Sequence, residues 1–452
     1  RTTGGSVSKI GRGLVTMYGN NAGVSSTATW LISGGTLALD YTKNNQARTA
    51  ASGTFNVNGG ALRIYGSAIA TTTESFSNTN NNNLQIRAGG TEISVTGQSG
   101  QTTTLNIGRR VSTTDGAVLN RFTGSAVNFV EESNGGTASI VLLSKSTNWV
   151  QNTVLPWATY GTVQRTADDF VMIDGGAANS LAAFRRALDE EVNDLSSVTT
   201  LLHTGADLSE NNGAGYYGTL GSNLTLNTLH FDAAADSIVN LGGRTLTMTS
   251  NGIIGGALMV ASNVGRANKT ISNGTLTTVE NGELLIHNYG SGALNISAVI
   301  GVAGSAPGFV TIAGPSVTDA DTLANWSAAT TGQVILSADN SGSDKATIWN
   351  LVGSVLSISN ENQLGRVTLA ATTNNALYLN GGALRWTGDS VDLNTERNFT
   401  FGGNGGVIDV VKGDSVFNIT GDILTENNYL FVNGSAVKHT GGDMDKIGAG
   451  TI

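Results

Sequence analysis

One short pattern recurs through most of the chain and limits what it can fold into: a glycine pair or an Asn-Gly step, then three or four residues alternating apolar and polar. Gly34-Gly35-Thr36-Leu37-Ala38-Leu39, Gly59-Gly60-Ala61-Leu62-Arg63-Ile64, Gly255-Gly256-Ala257-Leu258, Asn273-Gly274-Thr275-Leu276 and Gly381-Gly382-Ala383-Leu384-Arg385-Trp386 share this template. The glycines allow a positive φ at a corner, and the alternation sends successive side chains to opposite faces of a strand. Pairs such as Leu105/Ile107, Leu224/Leu226, Leu246/Met248, Leu294/Ile296, Leu356/Ile358 and Leu377/Leu379 keep the rhythm where the glycine prefix is missing. Strands this short cannot bury a face alone, so each must lie against neighbours.

Two architectures use many short strands with glycine corners: sandwiches or barrels, and a parallel β-helix of stacked coils. A sandwich of 452 residues would divide into several domains, yet the chain has 3 prolines and 13% charged residues and offers no linker at which to divide. The outward positions are mostly Thr, Ser and Asn, which suits the polar wall of a solenoid. The chain therefore reads as all-β, a parallel β-helix with a dry interior into which Leu377, Leu379 and Leu384 point.

One region breaks the rhythm. Between 149 and 212, Leu181, Phe184 and Leu188 fall at i, i+3 and i+7 behind Asn179 and Ser180, which predicts one short helix in an excursion from the solenoid. The expected organisation is β-helix over 1–148, excursion over 149–212, and β-helix again over 213–452. The excursion also gathers aromatic residues. Trp149, Trp157 and Tyr160 form the candidate glycan-binding site, because exposed rings stack on sugars; the alternative is that they wedge the excursion onto the wall.

The chemistry-bearing residues exclude more than they suggest. A net charge of −9 disfavours binding to nucleic acid. With no cysteine there is no disulfide framework and no thiolate, and no apolar run approaches a membrane span. His203, His230, His287 and His439 lack metal-binding spacing. Asp168, Asp169 and Asp174, or Asp319 and Asp321, are the nearest approach to a glycosidase-like carboxylate set, but without a convergent partner they read as loop acids. Gly402-Gly403-Asn404-Gly405-Gly406-Val407 has valine where a calcium-binding nonapeptide needs aspartate. No cofactor, metal or catalytic set is expected.

The two ends match each other. Thr3 to Gly13 and Thr440 to Gly450 are identical at seven of eleven positions, at an offset of 437 residues. Arg1 has no methionine or apolar leader before it, which reads as a processed or truncated start. Lys9, Ile10, Gly11 and Gly13 at one end, and Lys446, Ile447, Gly448 and Gly450 at the other, are the expected end-to-end interface. The partner is the chain itself, head to tail.

Lys9-Ile10-Gly11-Arg12-Gly13-Leu14, then Tyr18-Gly19-Asn20-Asn21 and Gly34-Gly35-Thr36-Leu37, resemble the autotransporter-associated β-strand repeat, also called the passenger-associated transport repeat. Lys446-Ile447-Gly448-Ala449-Gly450 opens a second copy, and Asn360 to Gly365, Gly381 to Leu384 and Arg397 to Phe401 resemble other segments of these bacterial surface proteins. The resemblance implies a right-handed β-helix, secreted or surface-exposed, in a bacterium with an outer membrane. From it come two functional expectations: a structural unit of an extracellular fibre or surface layer, and an adhesin that presents the excursion to glycans or cells. A polysaccharide-degrading enzyme is the third and weakest reading.

Overall fold

The computed structural model describes residues 6–19, 29–46, 48–49, 54–76, 84–107, 119–142, 154–173, 182–186, 190–191, 194–197, 207–210, 214–249, 255–278, 282–302, 308–316, 332–342, 347–365, 376–393, 397–424, 429–432, 435–438, 444–447 and 449–452. Among these the chain is nearly all β, mostly in parallel sheets, with three single-turn 3-10 helices at Leu195–Ser197, Ser262–Val264 and Glu361–Leu364. It forms two compact units, 1–187 and 188–452.

In the first unit, Ser6–Ile10, Thr29–Ser33, Thr54–Val57, Leu84–Ile86 and Leu119–Arg121 lie side by side in one parallel sheet. Leu14–Met17, Thr36–Asp40, Gly60–Tyr65, Gly89–Gln98, Ser125–Asn134 and Val154–Gly161 make a second parallel run. Thr72–Phe76, Thr102–Ile107 and Thr137–Leu142 make a third. The chain visits these runs in rotation and returns to each one strand further along. The alternation read from sequence sets what is buried: Leu37, Leu62, Ile93 and Phe129 occupy one register column and are all buried. Trp30 and Phe55 stack with rings parallel and centroids 5.5 Å apart. At the corner before Gly60–Tyr65, Gly60 has φ +96°, and a Cβ there would come within 2.5 Å of the Gly35 carbonyl oxygen. Only glycine lets these corners stack so closely.

The second unit cycles through three parallel sheets. One holds Thr228–Phe231, Gly256–Val260, Glu283–Asn288, Gly308–Ala313, Thr347–Leu351, Ala376–Leu379 and Asn398–Phe401. Another holds Ser237–Asn240, Lys269–Ser272, Ala293–Ile296, Gln333–Leu336, Val355–Ile358, Ala383–Trp386, Gly406–Val410 and Met444–Ile447. The third holds Leu224–Leu226, Thr245–Met248, Thr275–Thr278 and Val299–Val302. Leu377, Leu379 and Leu384 are fully buried, as the alternation predicts. These rotating, mostly parallel sheets make the fold β-helix-like.

The helix expected behind Asn179 does not form. Ala182–Arg186 is instead a strand, antiparallel to Asp169–Ile173 on one side and Thr137–Leu142 on the other. An apolar residue every three or four positions is compatible with either structure, and two flanking strands that offer backbone partners decide for the strand. Leu181 and Leu188 lie outside the described residues.

Candidate binding face

The second run of the first unit turns one face inward and the other outward. Register fixes the outer rows: Asp40, Tyr65, Thr96 and Glu132 follow one another across four strands, and Ala61, Glu92, Asn128 and Thr159 form a second row. Arg63 lies between the rows, and its guanidinium is 3.7 Å from Glu92. The result is a patch of mixed charge beside a half-buried tyrosine ring.

The segment after Gly161 folds back over this face. The Arg165 backbone N–H donates to Glu92 Oε2 at 2.6 Å, Gln164 Nε2 donates to Glu132 Oε2 at 3.0 Å, and Asn128 Nδ2 donates to the Thr166 carbonyl at 2.9 Å. Thr96 Oγ1 also donates to Glu132, at 2.9 Å, so one carboxylate gathers a hydroxyl and an amide. Arg165 has φ +66°, a left-handed conformation that a non-glycine residue holds only when its surroundings fix it. Burial raises the Glu92 carboxyl above its ordinary 4.5, against the lowering effects of the Arg165 N–H and of the Arg63 and Arg165 charges. Nearby, Glu131 accepts from the Ile140 N–H at 2.6 Å and from the Tyr160 hydroxyl at 3.0 Å. Burial raises both of these groups as well.

Thr96 and Asn128 are buried and their side chains are spent on Glu132 and the Thr166 carbonyl, so what the face offers a ligand is the partly exposed Asp40, Arg63, Tyr65 and Glu132. Two carboxylates accept, a guanidinium donates, and the tyrosine ring supplies apolar contact. Among the described residues there is no cluster of three or more His, Asp or Glu able to hold a metal, and no helix is long and apolar enough to cross a membrane.

No protein-family model matches the chain, and no solved structure matches it significantly. A curated bacterial surface protein does. The chain is similar to an autotransporter adhesin. It is 29% identical over 434 residues to the adhesin BmaC autotransporter of Brucella suis biovar 1 (strain 1330), a match that covers 93% of this chain. The chain spans 11% of that relative's length.

The expected site residues are distributed otherwise than the sequence suggests. Trp157 lies in Val154–Gly161 with 3% of its surface exposed, so its ring is part of the wall and is not presented to solvent. Tyr160 is half-buried, with its hydroxyl committed to Glu131. Trp149 lies outside the described residues, as do Asp174, Asp319, Asp321, His203, His439 and Gly448. Asp169 is buried, and His230 and His287 are fully buried in one sheet, in the strands on either side of Gly256–Val260. Of the end-motif residues, Lys9 Nζ reaches the carbonyls of Ile10 at 3.2 Å, Gly11 at 2.5 Å and Gly34 at 3.0 Å, while Ile10 is 65% exposed. Nothing within 4 Å would oppose a Cβ at Gly11 or Gly13, whereas one at Gly450 would strike Val410. Sequence reasoning missed Tyr65 and Arg63 as surface residues. The signal was available: carrying the alternation of Gly60-Ala61-Leu62-Arg63-Ile64 one residue further puts Arg63 and Tyr65 together on the outer face.

Proposed function

We propose that the chain is a passenger segment of an adhesin on the surface of a bacterium with an outer membrane, built as a right-handed β-helical solenoid. It has no enzymatic role and binds host or neighbour-cell glycans through the outer face around Tyr65. The observation that carries this reading is the similarity to an autotransporter adhesin along 93% of the chain. A rigid parallel sheet holds Asp40, Arg63, Tyr65, Thr96 and Glu132 in fixed rows, and rigid elements make better recognition platforms than loops.

Glycan-array binding by the purified chain, compared with Tyr65→Ala and Glu132→Gln, tests the reading. Signals on a defined group of neutral glycans should fall sharply in both variants while Tm is unchanged. Binding that survives both substitutions would place recognition elsewhere, and turnover of a polysaccharide by the wild-type chain would replace the adhesin reading with an enzymatic one.

A further inference from the structure

Alternation along Thr228–Phe231, Gly256–Val260 and Glu283–Asn288 sends Leu229, Leu258 and Ile286 to one face of their sheet and His230, Met259 and His287 to the other. Register then stacks the second set into one column: His230 stands opposite Met259, and Met259 opposite His287. Neighbouring strands lie about 4.8 Å apart, so each histidine is one rung from the methionine, which sits midway between them. All three residues are fully buried. The chain has 4 histidines and 5 methionines in 452 residues, so composition alone does not set three of them in successive places of one column.

The neighbours of this triad are small. Ser209 continues the column beyond His230, and Ala313 continues it beyond His287. The residues two before and two after Met259 are Ala257 and Ala261, both fully buried. No bulky side chain at these four positions separates the thioether from either imidazole.

Two imidazoles and a thioether are soft donors, and both kinds are neutral when they bind a metal. Thioethers favour Cu(I) over harder divalent ions, and imidazole is a common copper ligand. Burial points the same way: uncharged ligands leave the charge of the metal uncompensated, and that costs less for a monovalent ion than for a divalent one. Among the described residues no cluster of His, Asp and Glu stands ready for a harder ion.

We propose that His230, Met259 and His287 form a buried site for Cu(I), held by one nitrogen of each ring and by the Met259 sulfur. The site lies in the second unit, apart from the Tyr65 face in the first, and does not rest on the adhesin reading.

The full chain is refolded from urea in anaerobic buffer containing Cu(I), so that entry to a buried site is not limiting, and is then challenged with the chromophoric chelator bicinchoninate. It should retain one Cu(I), and X-ray absorption at the copper edge should show both nitrogen and sulfur in the first shell. Met259→Leu keeps the core volume, and it should weaken binding by more than the roughly 100-fold that loss of an outer-shell partner costs. His230→Phe and His287→Phe should do the same, while His203→Ala with His439→Ala should leave binding intact. A wild-type chain that yields all its copper to the chelator overturns the proposal. So does a first shell that lacks sulfur or nitrogen, undiminished retention in any one of the three variants, or tighter binding of Zn(II) than of Cu(I). Should a histidine variant fail to fold by circular dichroism, Met259→Leu and the wild-type absorption spectrum are read against the same outcomes.

Discussion

The two units use one kind of β-architecture but stabilise their buried carboxyls differently. In the first, the guanidinium of buried Arg48 is held by the Asp40 and Asn44 carbonyls, and three carboxylic acids are served mainly by hydroxyls and backbone: Glu74 accepts from Tyr41 and Thr49, Glu92 from the Arg165 N–H, and Glu131 from Tyr160 and Ile140. Burial raises all three above 4.5. In the second unit, a buried ammonium meets a buried carboxylate. Lys269 Nζ contacts Glu210 at 2.9 and 3.1 Å and the carbonyls of Ala233 and Ala235 at 2.8 and 2.7 Å, while Glu210 also accepts from the Ala233 and Tyr216 N–H groups. Both side chains are fully buried. A protonated acid needs only donors and acceptors around it, whereas a charged pair needs its partner.

The largest effect should come from breaking that pair. Lys269→Ala leaves the buried Glu210 side chain without its cation, and should cost about 3–5 kcal/mol in urea unfolding, with hydrogen-exchange protection lost in the second unit. The double variant Glu210→Leu, Lys269→Met should recover most of it; no recovery would mean that the pair's hydrogen bonds to the Ala233 region matter more than its charge. Next, Leu379→Ala removes a fully buried side chain in the second unit and should cost about 2–5 kcal/mol in the same measurement.

The smallest effect distinguishes the units by pH. Raised carboxyls mean that the folded first unit holds protons which the unfolded chain releases. Their effect favours folding below the ordinary value of 4.5 and fades as pH rises through the raised values. In the second unit, Asp339 and Asp389 are lowered from 3.8 by hydrogen bonds from Ser341 and Lys412, so their small, solvent-screened contribution is lost only as pH falls below that value. Calorimetry should therefore show the first unit's transition moving up as pH falls from neutrality toward 4.5, and Glu92→Gln should flatten that slope. A first unit that loses stability over this interval would contradict the burial of these acids.

Much of the architecture was legible because it rests on a period of two. The alternation in Leu377, Leu379 and Leu384 needs no partner to be read, and all three are buried. What failed was information held by neighbours. Phe184 and its apolar companions carry a spacing that two elements can use, and strands far away in sequence chose between them. Trp157 looked available because large rings near an irregular stretch are frequently exposed, yet the neighbouring strands enclose it. The Tyr65 face belongs to the same class: its rows combine residues from positions 40, 65, 96 and 132, and only register brings them together.

Successive paired strands in one sheet are separated by unequal lengths of chain. Ala376 pairs with Asn398, 22 residues on, but Phe309 pairs with Ile348, 39 residues on. The ladder tolerates this because register is kept by the strands, while loop length adds only slowly to the entropy of closure. Segments can thus be gained or lost between rungs without resetting the rungs that follow. A protein built this way can vary the sequences at its corners and leave its core unaltered.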